Sequence, residues 1–320
     1  MVEAVPLGVS VVLLIAGVVI LLVASSYVVD AAHRLGESFG LSPGVIGMTF
    51  VAFATSAPEM AVVVLAALEG DPDIATGSVV GSNIANVLIV VGVAAAWKTF
   101  RVDRRTRTVD IPVMVVASLV VAVLMVDRSL GRLDGLVLLL LLVAHVVASL
   151  RSESDDTAAE SQSGRPAHRR ARTGLMLVAS AAVVAGAAQL VVTGARELAT
   201  SVGVSELVIG LTVVSIGTSL PEITTSLVAA AKNQPDIALG NAIGSNIFNV
   251  LLVLGTASVM VGGGIGVADD VVRIDLPVMV SATLACLVVA TFWRTFARWH
   301  GVAFIGAYGA YVVSLLTIHS

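Results

Sequence analysis

Glu59 and Glu222 are the residues in this sequence whose chemistry least suits their surroundings. Each stands inside an apolar run long enough to cross a bilayer, and each closes the same short pattern: Thr55, Ser56, Pro58 and Glu59 in one run, Thr218, Ser219, Pro221 and Glu222 in the other. A carboxylate at membrane depth costs roughly 3 kcal/mol by insertion scales, so it faces a cavity or a partner, and no mid-span basic residue is placed to pair with either glutamate. Two such acids at equivalent positions predict one shared site. Pro58 and Pro221 add to it. Proline has no amide hydrogen and clashes with the preceding turn, which predicts a broken helix and bare carbonyls at Ala54 and Gly217. Unwound backbone is tolerated at that depth only where it is buried in protein or lines a water-filled cavity.

A second polar cluster accompanies each glutamate: Ser82, Asn83 and Asn86 in GSNIAN, and Ser245, Asn246 and Asn249 in GSNIFN. Ser82 and Asn86 are four apart and share a helical face, as do Ser245 and Asn249; Asn83 and Asn246 point about 100° away and read as helix-packing residues. Carboxylates, hydroxyls, amide oxygens and bare carbonyls are hard donors. They suit Ca2+, which takes about 6 to 8 oxygens, and Na+ by the same logic, whereas thiolate and imidazole are missing from both motifs. His33, His145, His168, His300 and His319 lie elsewhere, which argues against zinc. Two ionised glutamates neutralise one divalent or two monovalent cations, and a buried site bearing them is costly when empty, so exchange of one cation for another follows. An intramembrane hydrolase built on Ser56 or Ser219 would need a positioned histidine or lysine, which neither motif supplies. A passive channel would use the same oxygens without coupling. Thr49 and Thr212, a turn earlier, read as glue between helices, and the glycines Gly47, Gly81, Gly210 and Gly244 as points of close helix approach.

These residues are carried by a duplicated unit. VIGMTFVAFATSAPEM from Val45 matches VIGLTVVSIGTSLPEI from Val208, and PDIATGSVVGSNIANVLIVVG from Pro72 matches PDIALGNAIGSNIFNVLLVLG from Pro235, at a constant offset of about 163 residues. With 320 residues, 57% hydrophobic and only 12% charged against about 25% in soluble domains, the chain is an all-α polytopic membrane protein. A net charge of −4 and the lack of a basic stripe exclude nucleic acid as a partner, and the lone Cys286 reads as a small buried hydrophobe. Val9 to Val29 is too long for a signal h-region and is kept as a span.

Breaking the apolar runs at charges and glycines predicts about ten transmembrane helices. They fall near Leu7–Val29, Pro43–Leu68 (interrupted at Pro58), Ile74–Trp97, Val109–Val126 and Leu133–Leu150, then Leu175–Ala199, Leu207–Ala231, Ile237–Val261, Val271–Phe292 and Phe296–Ile318. The expected organisation is a first five-helix repeat over 1–150, a polar and disordered cytoplasmic linker over 151–172, and a second repeat over 173–320. An odd number of helices per copy turns the copies upside down relative to each other, giving two inverted-topology repeats. With both termini outside, about fourteen of the eighteen basic residues fall in inner loops, leaving Arg128, Arg132, Arg196 and Arg273 outside. The expected location is therefore the cell membrane.

The paired motifs ATSAPE with GSNIAN and GTSLPE with GSNIFN resemble the alpha repeats of the sodium/calcium exchanger family, within the cation/calcium antiporter superfamily. The resemblance covers the transmembrane chain. It implies a monomeric secondary antiporter, not an enzyme and without a cofactor, that exchanges Na+ for Ca2+ by alternating access. A central site would be built by helices 2, 3, 7 and 8, with helices 1 and 6 sliding across it. It implies Glu59 and Glu222 as Ca2+ ligands shared with Na+, oxygens from Thr55, Ser56, Thr218 and Ser219, carbonyls of Ala52 and Ser215, hydroxyls of Ser82 and Ser245, and Asn86 and Asn249 at the middle. Three Na+ would enter per Ca2+ expelled. Some relatives carry aspartate at the position of Asn249, where it is linked to potassium dependence, so Asn249 implies a potassium-independent exchanger. The short linker resembles the minimal prokaryotic form, with no room for a calcium-regulatory domain. An H+/Ca2+ antiporter of the same superfamily is the alternative, since a glutamate can release protons; the surrounding hydroxyls and amides favour Na+.

Overall fold

The computed structural model describes residues 7–157, 167–201, 217 and 219–318. Among them nine helices are long and apolar enough to cross a membrane: α1 (Gly8–Glu37), α2 (Pro43–Glu69), α3 (Ile74–Trp97), α4 (Thr106–Leu124), α5 (Arg132–Ser149), α6 (Arg170–Ser201), α8 (Pro235–Met260), α9 (Val271–Trp293) and α10 (Arg298–Thr317). The shorter α7 (Leu220–Ala231) lies between α6 and α8. Local chemistry sets several ends. Gly70 closes α2 in the left-handed conformation at φ 81°, and the Asp71 carboxylate accepts the Ile74 amide at 3.2 Å ahead of α3, with Pro72 in the first turn.

Burial sorts the helices. α8 and α3 are enclosed on nearly all sides, while α1, α5 and α10 present broad apolar faces outward, including Val12, Ile15, Leu133, Leu140 and Val302. That distribution matches a bundle dissolved in lipid, where exposed valine and leucine cost nothing. α1 and α6 pack on each other along their lengths: a methyl on Gly17 would fall 2.9 Å from the Val191 amide nitrogen, and one on Gly194 2.8 Å from that of Leu14.

Two short antiparallel ladders tie the loops. β1 (Phe100–Arg101) pairs with β4 (Thr295–Phe296), joining the α3–α4 connection to the α9–α10 connection; β2 (Ser129–Leu130) pairs with β3 (Ile265–Gly266), joining α4–α5 to α8–α9. The first ladder gathers the basic residues Lys98, Arg101, Arg294 and Arg298 at one end of the bundle. Matching close approaches occur where α3 meets α10, at Gly92 and Gly301, and where α5 meets α8, at Gly135 and Gly255.

Three expectations change. Pro58 does not break α2: the helix runs unbroken over Ala52–Glu69. The irregularity lies earlier, in a wide π-type turn over Gly47–Val51. Here α2 is pressed against α8 so closely that a methyl on Gly47 would meet Ile237 Cα at 2.9 Å and one on Gly240 would meet the Met48 amide nitrogen at 3.0 Å; Pro58 removes a single rung, and the helix keeps its bonds on either side of it. The linker over 151–172 is not wholly irregular, since the helices continue into it as Arg132–Thr157 and resume at Ala167. α1 continues two turns beyond Val29 to Glu37. The expected span Leu207–Ala231 is described at Gly217 and continuously only from Ser219, with Thr212 and Gly210 outside the described residues. Cys286 is fully buried on α9.

Candidate ion-binding site

The residues singled out by type converge at the centre of the bundle. Glu59 on α2 is 4% exposed and Glu222 in the first turn of α7 is 1% exposed. Among the described residues neither enters an ion pair. Ser56, one turn before Glu59, donates its hydroxyl to Glu222 Oε1 at 3.4 Å, so α2 and α7 meet across the site. Ser82 and Asn249 stand beside the Glu59 carboxylate without closing a hydrogen bond to it. Ser219 and Ser82 touch through their hydroxyls at 3.4 Å, and Thr55 lies 3.5 Å from Ser245. Asn86 is fully buried one turn beyond Ser82. Thr218 and Ser215 lie outside the described residues.

Among the described residues this centre holds no basic side chain, and several of its polar atoms are unpaired. Both oxygens of Glu59, Glu222 Oε2, and the side-chain oxygens and nitrogens of Asn86 and Asn249 are buried with no hydrogen-bond partner among the described residues. One unsatisfied polar group costs about 1–3 kcal/mol, and more if charged. Thr55 adds a link between helices. Its hydroxyl lies 3.2 Å from the carbonyls of Val51 and Ala52, which also take helix amides, and 3.2 Å from Asn241 Oδ1, to which it can donate. The oxygens of such a cluster are the hard donors that suit a Ca2+ or Na+ ion.

Backbone form contributes as well. Asn86 opens a wide π-type turn over Asn86–Val91 in α3, and Asn249 opens its counterpart over Asn249–Leu254 in α8. Such turns recur at functional sites because the widened ring re-aims a side chain and loosens a carbonyl. Asn83 and Asn246 serve the scaffold: the Asn83 amide donates to the Asn246 carbonyl at 3.3 Å, and Asn246 returns the bond to the Asn83 carbonyl at 3.1 Å. Their reciprocity clamps α3 to α8 beside the acids. Thr49 neither bridges helices nor reaches the site, since its hydroxyl turns back to the Val45 carbonyl at 2.6 Å.

One residue at the centre escaped the sequence reading. Asn241 is fully buried on α8, donates to Ser226 Oγ at 2.9 Å and to the Glu222 carbonyl at 3.4 Å, and accepts from Thr55. Its counterpart in the first copy is Ser78, so a search for polar residues shared by both copies passes over it. Ser25 on α1 also escaped: it donates to Thr224 at 3.1 Å and accepts from Thr225 at 3.3 Å. Five residues along, Asp30 takes an ion pair from Lys232, which follows the last residue of α7, at 2.6 Å, so α1 is pinned to α7 at two levels.

Known proteins share this plan. The family model described as sodium/calcium exchanger protein matches residues 9–151 and 173–317. The sodium/calcium exchanger MaX1 of Methanosarcina acetivorans is 31% identical, covering 96% of this chain and 98% of that protein. The inner membrane protein YrbG of Escherichia coli is 36% identical over 79% of this chain and 80% of its own. A structure of the sodium-calcium exchanger NCX_Mj, soaked with 10 mM Na+ and zero Ca2+, superposes with a TM-score of 0.84 at 28% identity, covering 97% of this chain and 99% of that one.

Proposed function

Starting from a chain that belongs to the sodium/calcium exchanger protein family, a cation/Ca2+ antiporter family whose transported ions are Na+ and Ca2+, we propose that Glu59 and Glu222 share one Ca2+ and alternately bind Na+, with three Na+ entering per Ca2+ expelled and no need for K+. The observation that carries the reading is the pair of buried carboxylates, linked across the site by the Ser56–Glu222 bond, with no basic partner among the described residues and with unpaired side-chain oxygens of Glu59, Asn86 and Asn249 around them. Neutral oxygens around them come from Thr55, Ser56, Ser82, Asn86, Ser219, Ser245 and Asn249, with the Ala52 carbonyl and, by the repeat, Thr218 and Ser215. No step makes or breaks a covalent bond.

Coupling follows from charge. With Ca2+ bound the centre is near neutral, and with Na+ it is neutral or positive; bare, it holds two acids in a dry core and is the costly state. Movement between inward and outward access is therefore easiest when loaded. Three Na+ against one Ca2+ carries one net charge per cycle, sensitive to voltage by roughly 2.3 kcal/mol per 100 mV. α1 and α6, packed as a pair, slide across the four central helices, and the Ser25–Thr224 bond and the Asp30–Lys232 ion pair are contacts that this motion must exchange.

The proposed organisation is two inverted five-helix halves, 1–150 and 173–320, joined by 151–172, in the cell membrane with both termini outside and functional as a monomer. The ladders support the inversion: the repeat offset carries β1 to β3 and β4 to β2, so β1–β4 and β2–β3 become the same contact seen from opposite membrane faces. Ca2+ uptake into proteoliposomes tests the coupling. An outward Na+ gradient drives uptake, and adding external K+ leaves it unchanged. Uptake that follows a pH gradient and ignores Na+ would remove the Na+ half of the proposal.

A further inference from the structure

Away from the acids, a groove of about 520 Å3 runs between α4 and α5 with Leu251 of α8 as its floor. Its α4 wall is one helical face from Arg105 to Ala117, about 18 Å at 1.5 Å per residue, against about 15 Å for half of a bilayer's hydrocarbon core. Its α5 wall is Leu141, His145 and Ser149. Val109, Val116 and Leu141 are 43%, 55% and 38% exposed, so the groove opens sideways to lipid.

One end is polar and basic. The Arg105 guanidinium is braced at the mouth, donating to the Ser149 carbonyl at 3.1 Å with Asp110 3.8 Å away. Ser149 itself is 3% exposed, lines the groove, and has a hydroxyl with no hydrogen-bond partner among the described residues. Lys98, Arg101, Arg104 and Arg107 lie in the adjoining stretch, and the β1–β4 ladder brings Arg294 and Arg298 to the same end. The acids there are Asp110, Asp103, which caps the Thr106 amide at 3.0 Å, and Asp236 near Asp103. Basic groups outnumber them.

The second half shows that the groove is not a by-product of the fold. RIDLPVMV in α9 repeats TVDIPVMV in α4, and α10 repeats α5 with Tyr311 in the place of His145. Tyr311 reaches from α10 to α9 and donates its hydroxyl to Asp275 at 2.8 Å. The shorter His145 leaves the corresponding space open.

We propose that this groove holds one acyl chain of an anionic phospholipid, with the phosphate among Arg104, Arg105 and Arg107. The chain lies along α4 and α5, and the headgroup sits in the basic end, where each nearby guanidinium adds affinity for an anionic lipid surface. Leu251 belongs to the wide turn that begins at Asn249, so the bound chain touches the helix that carries Ser245 and Asn249. This holds whichever ion is exchanged.

Native mass spectrometry of the full chain, released from detergent containing equal phosphatidylglycerol and phosphatidylcholine, tests it, with glycerol 3-phosphate as a chainless probe. The wild type retains one phosphatidylglycerol in preference to phosphatidylcholine and does not retain glycerol 3-phosphate. Val113→Trp and His145→Tyr, the latter copying the second half, lower retention of both lipids. Arg104→Gln with Arg107→Gln erodes the preference by about fivefold for each guanidinium lost. A melting curve confirms that each variant is folded. Equal retention of both lipids by the wild type, undiminished phosphatidylglycerol in folded Val113→Trp and His145→Tyr proteins, or retention of glycerol 3-phosphate as strong as that of the lipid would overturn the proposal.

Discussion

Replacing Gly244 by alanine adds one methyl at the closest approach of α2 and α8. That methyl would meet the Met48 carbonyl, and it would stand 2.7 Å from Met48 Cα and 2.7 Å from Ala52 Cβ. Carbon atoms rest about 3.5–4.0 Å apart, so α2 must retreat by about 1 Å, and backbone cannot swing aside as a long side chain would. Overpacking of this kind costs about 1–3 kcal/mol, offset by about 0.5–1 kcal/mol for removing glycine from a helix interior, which leaves a loss near 1–2 kcal/mol. The functional cost is larger. Ala52 and Thr55 ride on α2, and the Thr55 separations of 3.2 Å to Asn241 and 3.5 Å to Ser245 would open past hydrogen-bond range. A misplacement of 1 Å at a reacting centre costs about a hundredfold, and a similar loss of Na+-driven Ca2+ uptake is expected. Gly306→Ala is the control, since nothing lies within 4 Å of its added methyl on the outer face of α10, and it should transport normally. Gly244→Ala protein that exchanges at the wild-type rate would show that contact between α2 and α8 does not set the site.

Glu59→Gln and Glu222→Gln should each abolish Ca2+ exchange while leaving a folded protein, because the amide keeps the shape and loses the charge; near-normal exchange by either would remove that residue as a ligand. Asn249→Asp adds a third acid beside Glu59 and should change the competition between Na+, K+ and Ca2+ without unfolding the chain; unchanged competition curves would count against a place for Asn249 in the site. Asn83→Ala or Asn246→Ala removes one bond of the reciprocal pair from a buried contact between α3 and α8, so each should lower stability by about 0.5–1.5 kcal/mol, and a double mutant costing the full sum of the singles would deny that the two act together. Asn241→Ala should weaken ion binding through Thr55 and the Glu222 carbonyl; restoration of binding by Asn241→Gln, whose amide stands one methylene further out, would argue against a positional role.

What the sequence made legible was whatever the repeat preserves. Glu59 and Glu222, Ser82 with Asn86, Ser245 with Asn249, and the division of Asn83 and Asn246 into packing roles all follow from composition and helical spacing, since a buried polar side chain must find a partner or a cation. Asn241 was hidden because Ser78 replaces it in the first copy, and Ser25 because its partners on α7 are far away in the chain. Pro58 misled for a different reason. It removes one rung of an otherwise intact helix, and the irregular turn falls instead at Gly47–Val51, where α2 meets α8, a tertiary contact that the local pattern does not show. The wide turns at Asn86 and Asn249 carry no composition cue at all. In the linker, the polar run from Arg151 was read as irregular, although a helix already formed in the apolar run before it extends over charged residues at little cost.

The most direct test of the shared site is an anomalous difference map from crystals soaked in Ca2+. A single strong peak between the carboxylates of Glu59 and Glu222, with about 6 to 8 oxygens at 2.3–2.6 Å and Ser or Asn side chains among them, is the predicted result. Ca2+ density confined to the loop acids near Asp103 and Asp236, with Glu59 and Glu222 bare, would contradict it.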